Sequence, residues 1–548
     1  MCADFKTVRG NLVDLHQKRI YPAELQIQNR KISSIKELPS EEKLNTYILP
    51  GFVDAHIHIE SSMLVPSAFA AVAVKHGSLA TVSDPHEIAN VLGVAGVEYM
   101  IEDAARVPFK FNFGAPSCVP ATTFETAGAS INAKEVGELL ARPEIKYLSE
   151  MMNYPGVLHR DAEVMAKIAH AKALDKPIDG HAPGLTAEAA LAYIAAGIST
   201  DHECFTLEEA LFKAENGMKI LIREGSAARN FEALHPLLGS HPHLCMFCSD
   251  DKHPDELLEG HINVLVQRAL ALGYNYFDVL RVACVNPVEH YQLHCGLLRE
   301  GDWADFIEVN HPTELKVLAV YIDGQLVFNG NNICFEVPEA ETPNRFNIMK
   351  FDAKQLALKV AGRQVQLIEA RDGQLITGRS IHQFQTMQAA DEADQNNDIL
   401  KLVVVNRYKE APPAVAFIKG FGLKNAAIAG TVAHDSHNIV AVGSNDTLLA
   451  KAIDLVIAEQ GGLSFTNGEC NEILPLPVAG LMSTASCEAV GAAYGLLDQL
   501  SKQAGSNLRA PYMTLSFMAL LVIPDIKLSD LGLFDGQNFE FTPLLLTP

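Results

Sequence analysis

Between residues 50 and about 295 the chain repeats one pattern eight times. An apolar run ends in small or polar residues, and a helical stretch usually follows. The runs are ILPGFVDAHIH, SLATVSDPHE, FKFNFGAPS, IKYLSEMMNYPG, KPIDGHAPG, GISTDHECF, MKILIREGS and HLCMFCSDD. Continuous apolar runs of this length are what strands covered on both faces require, and parallel neighbours need helical crossovers between them. The intervening stretches supply the crossovers. TAEAALAYIAAG has an N-cap candidate in Thr186 and a stop at Gly197, and FTLEEALFKAENG spaces Thr206 and Glu209 as a capping box before Gly217. Eight such units over roughly 250 residues predict a TIM (β/α)8 barrel at the centre of an α/β protein.

The flanks read differently. Residues 1–49 are short alternating strands with turns, and LLREGDWADFIEVN and KVLAVYIDGQLVFNG return to that pattern within 296–344. The two pieces are expected to form one small composite β-sandwich domain around a barrel spanning 50–295. After the polar ETPNRF segment, residues 345–548 mix strands (LKLVVVNRY, AVAFIKGFG, NIVAVGS) with helices (TLLAKAIDLVIAEQ, SCEAVGAAYGLLDQL), an additional α+β C-terminal domain. A chain of 548 residues is too long for one ordinary core, which agrees with this division.

The net charge of −23 argues against nucleic acid or an anionic membrane as the main partner. No segment has the uninterrupted apolar length of a membrane span. The ten cysteines are scattered, mostly in apolar segments, as buried thiols of a reducing compartment would be. The opening MCADFKTVRGNLVDLHQ lacks a basic stretch followed by an apolar one. A cytoplasmic location is expected.

A TIM barrel keeps its chemistry at the C-terminal ends of its strands. The first predicted strand ends in His56 and His58, the fourth near Glu150, the fifth in His181, the sixth in His202 and the eighth in Asp250 and Asp251. His56 and His58 project to one side because strand side chains alternate. A bare His-x-His is common at strand ends. Four histidines and two acids at equivalent positions of five strands call for one explanation. Imidazole and carboxylate donors suit Zn, Mn or Fe. A carboxylate on the fourth strand can bridge two ions, which together make hydroxide available at neutral pH. An aspartate on the eighth can ligate and also carry the proton to the leaving group.

PGFVDAHIHIESSM, TVSDPHEIANVLG, SEMMNYPGV, DGHAPGL, STDHE and CSDDKHP, in this order, resemble the barrel motifs of the amidohydrolase superfamily. VVVNRY and TVAHDSHNIVAVGSNDT narrow the resemblance to the adenine deaminases, over essentially the whole chain. The resemblance implies hydrolysis of adenine at C6 to hypoxanthine and ammonia. It implies a Mn or Fe centre, often binuclear, with Zn also possible, and a small-molecule substrate. A homo-oligomer, dimer or larger, is the expected assembly. His56, His58, His181, His202 and Asp250 match the family's ligands. Many superfamily members bridge their metals with a carboxylated lysine on strand four. Here Glu150 takes that position, and the nearest lysine, Lys146, lies earlier in the strand. The competing readings are another amidohydrolase, acting on a different aminopurine or a cyclic amide, and a barrel that has lost catalysis.

Several residues keep two readings. Asp84, His86 and Glu87 serve either the site or a helix start at Pro85. Glu60 ligates, binds substrate or caps a loop. Glu203 follows His202 and by alternation turns away from it. Adjacent Asp250 and Asp251 cannot both face a metal from a regular strand. The donor to the purine ring nitrogen has Glu60, His86 and Glu203 as its shortlist. Ser62 and Ser117 are possible purine contacts. His434, Asp435 and His437 form a metal-like or lid-forming AHDSHN loop, with Arg407 a further lid candidate. Cys245 and Cys248 have a zinc-like spacing, but no proline precedes them and they sit in a predicted strand, so core thiols are expected.

Overall fold

The computed structural model describes residues 5–226, 228–358, 364–384 and 393–546. All eight predicted runs contain strands: β1 (Phe52–Ile57), β2 (Ser78–Ser83), β3 (Lys110–Ala115), β4 (Ile145–Met151), β5 (Ile178–Gly180), β6 (Thr200–Asp201), β7 (Lys219–Arg223) and β8 (Cys245–Cys248). Every residue of β1 and β2 is buried, as expected for strands covered on both faces. β1 to β5 form one parallel sheet and β6 to β8 another.

The two sheets touch at both edges. Ser199 N–H donates to Ile178 O at 2.8 Å between β5 and β6. Past the end of β8, Asp250 N–H donates to His56 O at 2.9 Å and His58 N–H to Asp250 O at 3.2 Å. The result is a curled parallel sheet with helices around it. β5 and β6 are shorter than their predicted runs, and His181 and His202 each follow directly on a strand end.

The helices begin where the sequence marks them. Thr206 accepts from Glu209 N–H at 3.2 Å and caps helix Leu207–Glu215. Thr186 occupies the N-cap of Ala187–Ala195 without a side-chain bond. Gly197 and Gly217 both have the positive φ of a helix stop.

The N-terminal strands and those after the barrel share one seven-stranded sheet. Tyr47–Leu49 joins them, pairing with Phe5–Asp14 on one side and Phe306–Val309 on the other. Among the described residues the pairing is continuous through Tyr47–Leu49, and the two ends of the sheet meet, with Lys6 Nζ donating to Gly324 O at 3.2 Å and a bridge joining Lys31 and Trp303.

The C-terminal region builds a nine-stranded mixed sheet with helices Asp446–Ala458 and Cys487–Gln503. A small antiparallel sheet of Ile526–Ser529, Gly532–Asp535 and Glu540–Phe541 follows. This region lies over the loops that follow β1, β3 and β8. Ser483 N–H donates to Met63 O (2.8 Å), Asn438 to Thr126 O (2.9 Å) and Ser529 to Phe124 O (2.8 Å). Helix Cys487–Gln503 packs on Pro254–Glu259. Apolar side chains of both regions form one continuous core. Among the described residues no helix is long and apolar enough to cross a membrane.

Candidate metal centre

Six side chains from five strand ends converge. His56 Nε2 and His58 Nε2 are 3.2 Å apart, and Asp250 Oδ1 lies 3.5 Å from the first and 3.2 Å from the second. Glu150 stands in the middle with its oxygens divided. Oε1 is 3.3 Å from His58 Nε2, while Oε2 is 2.8 Å from His181 Nδ1 and 3.2 Å from His202 Nε2. The His56 and His202 rings stack at 4.1 Å. All six residues are buried.

The donor chemistry fits divalent metal. His58 Nδ1 lies 3.1 Å from Asp84 O, so a ring proton goes there and its Nε2 points inward. That nitrogen faces the Nε2 of His56, and His181 Nε2 is a buried nitrogen without a partner. Two facing imidazole nitrogens and a carboxylate split between two groups of histidines need protons or cations between them. Overlapping triads and one tetrad, such as His56–His58–Asp250, His56–Glu150–His202 and His58–Asp84–His86–Glu150, bring their donor atoms within 4.8 Å of one another.

Electrostatics keep the acids ionised. Burial raises the Asp250 carboxyl, but the Arg223 guanidinium and then the histidines hold it well below the usual range. Burial likewise opposes Glu150, and His181, His202 and His58 pull it well below normal. Burial lowers His58, yet its bonds to Asp250 and Glu150 carry it well above an ordinary histidine. His56 is lowered by burial and then by His202.

Arg223, at the end of β7, was not singled out in the sequence. Its guanidinium bonds Asp250 Oδ2 at 2.5 Å and grips Glu203 with both terminal nitrogens. A charged residue closing the apolar run KILIR is the same signal that marked the other strand ends. Ser61 was also missed. Its hydroxyl lies 2.8 Å from Glu87 Oε1 and 2.6 Å from Asp251 Oδ1. One hydroxyl proton cannot serve two carboxylates, so one of these acids must carry a proton.

The C-terminal region completes the site. Asp435 Oδ1 is 3.6 Å from His86 Nε2, and His434 Nδ1 is 3.6 Å from Glu87 Oε1. Leu375, Phe517, Leu520 and Val522 add an apolar wall opposite the strand ends, around a cavity of about 40 Å³. Larger hollows of about 440 and 900 Å³ lie around Lys110 and Arg30. There the charges pair with Asp305 and Asp323, so size does not mark the site.

Comparison with known proteins agrees with this geometry. The amidohydrolase family profile matches residues 47–327, and that of the adenine deaminase C-terminal domain matches residues 374–540. An adenine deaminase of Sulfurovum sp. (strain NBC37-1) is 53% identical over 97% of this chain and 98% of its own length. Those of Salinibacter ruber and Methanosarcina barkeri are 52% and 48% identical, each over 98% of this chain, and over 98% and 99% of their own lengths. The chain belongs to the adenine deaminase family.

Within this family member the sequence candidates separate cleanly. Asp250 and Asp251 both line the cavity, because β8 stops at Cys248 and Asp250 has a left-handed φ of 54°, which breaks strand alternation. Asp250 meets the histidines, and Asp251 meets Ser61. Glu203 does not turn away as alternation predicts. β6 ends at Asp201, and Glu203 Oε1 sits 3.4 Å from His202 Nε2 and 3.8 Å from His181 Nδ1.

The SDPHE segment starts a helix and also reaches the cluster. Helix His86–Leu92 starts there, while Asp84 lies 3.2 Å from His86 Nδ1 and Glu150 3.4 Å from it. Glu60 lies off the cavity wall, accepting from Ile88 N–H, and burial followed by the Glu87 charge pushes it up to about 8. Lys146 is bonded to Pro143 O at the far end of β4, away from the cluster around Glu150. Ser62 and Ser117 bond the carbonyls of Ile59 and Glu150. Arg407 is fully buried and bonds Ala479 O, away from the cavity. His437 is buried but is not part of the cavity wall. Cys245 and Cys248 are core thiols, both raised by burial. All nine described cysteines are free.

Proposed function

We propose that the chain hydrolyses adenine to hypoxanthine and ammonia at a binuclear metal centre. Glu150 is the observation that carries the site, since its two oxygens face two separate groups of histidines. Family membership carries the substrate. We assign His56, His58, Glu150, His181, His202 and Asp250 as the residues that would hold two ions. Mn or Fe is preferred by resemblance, and Zn is compatible with the donors. Bound there, the ions supply Lewis acidity that makes water nucleophilic at neutral pH.

The chain's own groups handle the protons. Asp250, kept ionised and anchored through Oδ2 by Arg223, takes the proton of the attacking water at Oδ1 and passes it to the departing amine. Attack at C6 pushes charge onto the ring nitrogens. Of the sequence shortlist, Glu203 is bound up with Arg223, burial raising it while Arg223, His181 and His202 together bring it below the ordinary value, and Glu60 is off the wall. His86 remains, and Glu87 joins it. Burial raises Glu87, and its proximity to Ser61 and Asp251 favours its protonated form, so we assign Glu87 as the donor to the ring nitrogen.

We read the two parallel sheets as one closed (β/α)8 barrel over residues 50–295, supported by the contacts at both edges. Residues 1–49 with 296–344 then form the small β domain, and 345–548 the C-terminal domain. Free buried cysteines favour the cytoplasm, and a homo-oligomer remains the expected assembly. Incubation of manganese-loaded protein with adenine tests the reading. Equal amounts of ammonia and hypoxanthine support it. Full metal loading without ammonia release rejects adenine as the substrate.

A further inference from the structure

The apolar wall of the cavity comes from two separate C-terminal segments. Leu375 lies in the turn before strand Gly378–Gln383. Phe517, Leu520 and Val522 lie after helix Pro511–Ser516. These stretches are largely irregular, so strand pairing does little to fix their separation. Thr377 stitches one side, accepting from Asp525 N–H (3.1 Å) and donating to Ile526 O (2.9 Å).

The other stitch is Lys527. It is fully buried, and its Nζ donates to Leu375 O at 2.6 Å and Phe517 O at 2.9 Å. Both acceptors belong to residues whose side chains line the cavity. Among the described residues no carboxylate pairs with this amine. A buried, unpaired amine is costly, and an apolar chain of the same length would fill the space without that cost. Burial pushes Lys527 down to about 7. Either protonation form keeps the two N–H groups the carbonyls need.

The four apolar side chains bound one side of the cavity, facing His58, His86, Glu150 and Asp250. The opposite wall is made of strand ends and their charged groups, tied together by many bonds. Phe517 also stacks on His434 at 4.9 Å and 16°, which presents a flat apolar surface next to polar groups. That surface suits a planar base, with its faces apolar and its edge hydrogen-bonding.

We propose that Lys527 is a positioning residue for substrate binding, whose two hydrogen bonds hold the Leu375 and Phe517 segments as the wall against which the purine face rests. The proposal rests on reading the cavity as the adenine site. Lys527 touches no reacting group. It sets how tightly the wall closes on the base.

Lys527→Met in the full-length, manganese-loaded protein tests this. The expected result is a rise in KM for adenine of about tenfold or more, with kcat changed by less than about threefold. Metal content stays at the wild-type value. Amide exchange accelerates in residues 511–523 and stays unchanged in helix Asp446–Ala458. Lys527→Gln retains an N–H2 group, is expected to fall between the two, and carries the same readouts if the Met variant does not fold. A wild-type KM, or a loss of kcat with faster exchange throughout the C-terminal region, would overturn the assignment. Wild-type protein that releases no ammonia from adenine would instead defeat the functional reading, while local exchange in 511–523 would still report on the clamp.

Discussion

Removing the Arg223 charge should move the acid side of the pH–rate profile. Arg223 bonds Asp250 Oδ2 at 2.5 Å and grips Glu203, all three groups being buried. Its guanidinium is the leading reason that Asp250 stays ionised against burial. A depressed carboxylate contributes stability above its unfolded value, and that stability is lost only as pH falls through the folded value. In the wild type this loss therefore lies well below neutrality. In Arg223→Met the largest compensating charge is gone, only the histidines remain, and Asp250 becomes harder to ionise. The acid limb of kcat/KM should then move upward by about one pH unit or more, the size of effect that an opposite charge in contact exerts. At a fixed pH on that limb, each unit is a further tenfold loss, or about 1.4 kcal/mol. Breaking a buried ion pair also destabilises, here toward the low end of about 3–5 kcal/mol because Asp250 keeps its histidine neighbours. The assay is kcat/KM for adenine from pH 5 to 9 on metal-loaded protein, with Arg223→Lys expected to fall between. An acid limb that stays in place, in a folded and metal-replete Arg223→Met enzyme, would refute the electrostatic role.

Three further outcomes follow from the site. Asp250→Asn should fold and keep the histidine cluster while kcat falls by about 10² to 10⁴, as loss of a proton carrier does; near-normal turnover would remove Asp250 from that role. Glu87→Gln should lower kcat by about 10²-fold with little change in metal content, and solvent-isotope sensitivity of the remaining rate would check that a proton transfer has become limiting. Lys146→Ala should leave metal content and turnover at wild-type values, because Lys146 sits at the opposite end of β4; loss of metal would restore the carboxylated-lysine bridge.

Local pattern carried the centre of this fold. The β-strand ends could be read because a buried strand is uniformly apolar, so a histidine or acid at its end stands out. Five of the six proposed ligands stood out by that contrast, the resemblance chose Asp250 over Asp251, and the structure brings all six together. Alternation, by contrast, failed as soon as the strand stopped. Glu203 and Asp251 lie past the last paired residue, where a left-handed or loop backbone re-aims side chains. Contacts that depend on tertiary closure were legible only in part. The polar AHDSHN segment marked residues 434–437 as a metal-like or lid-forming loop, but nothing local names Glu87 and His86, some 350 residues earlier, as the partners of His434 and Asp435. Ser61 could not be preferred over Ser62 without knowing which hydroxyl meets two acids. Lys527 sits in a plain strand, and only burial without a charged partner sets it apart.

Glu150 would hold both ions of the proposed centre, since its two oxygens face two separate groups of histidines. The most direct measurement is metal content per chain, by inductively coupled plasma mass spectrometry, of wild-type and Glu150→Gln protein after identical manganese loading and desalting. Two ions per wild-type chain and at most one in Glu150→Gln are expected, with deamination of adenine lost. Two tightly held ions in Glu150→Gln, or a single ion in fully active wild-type protein, would contradict it.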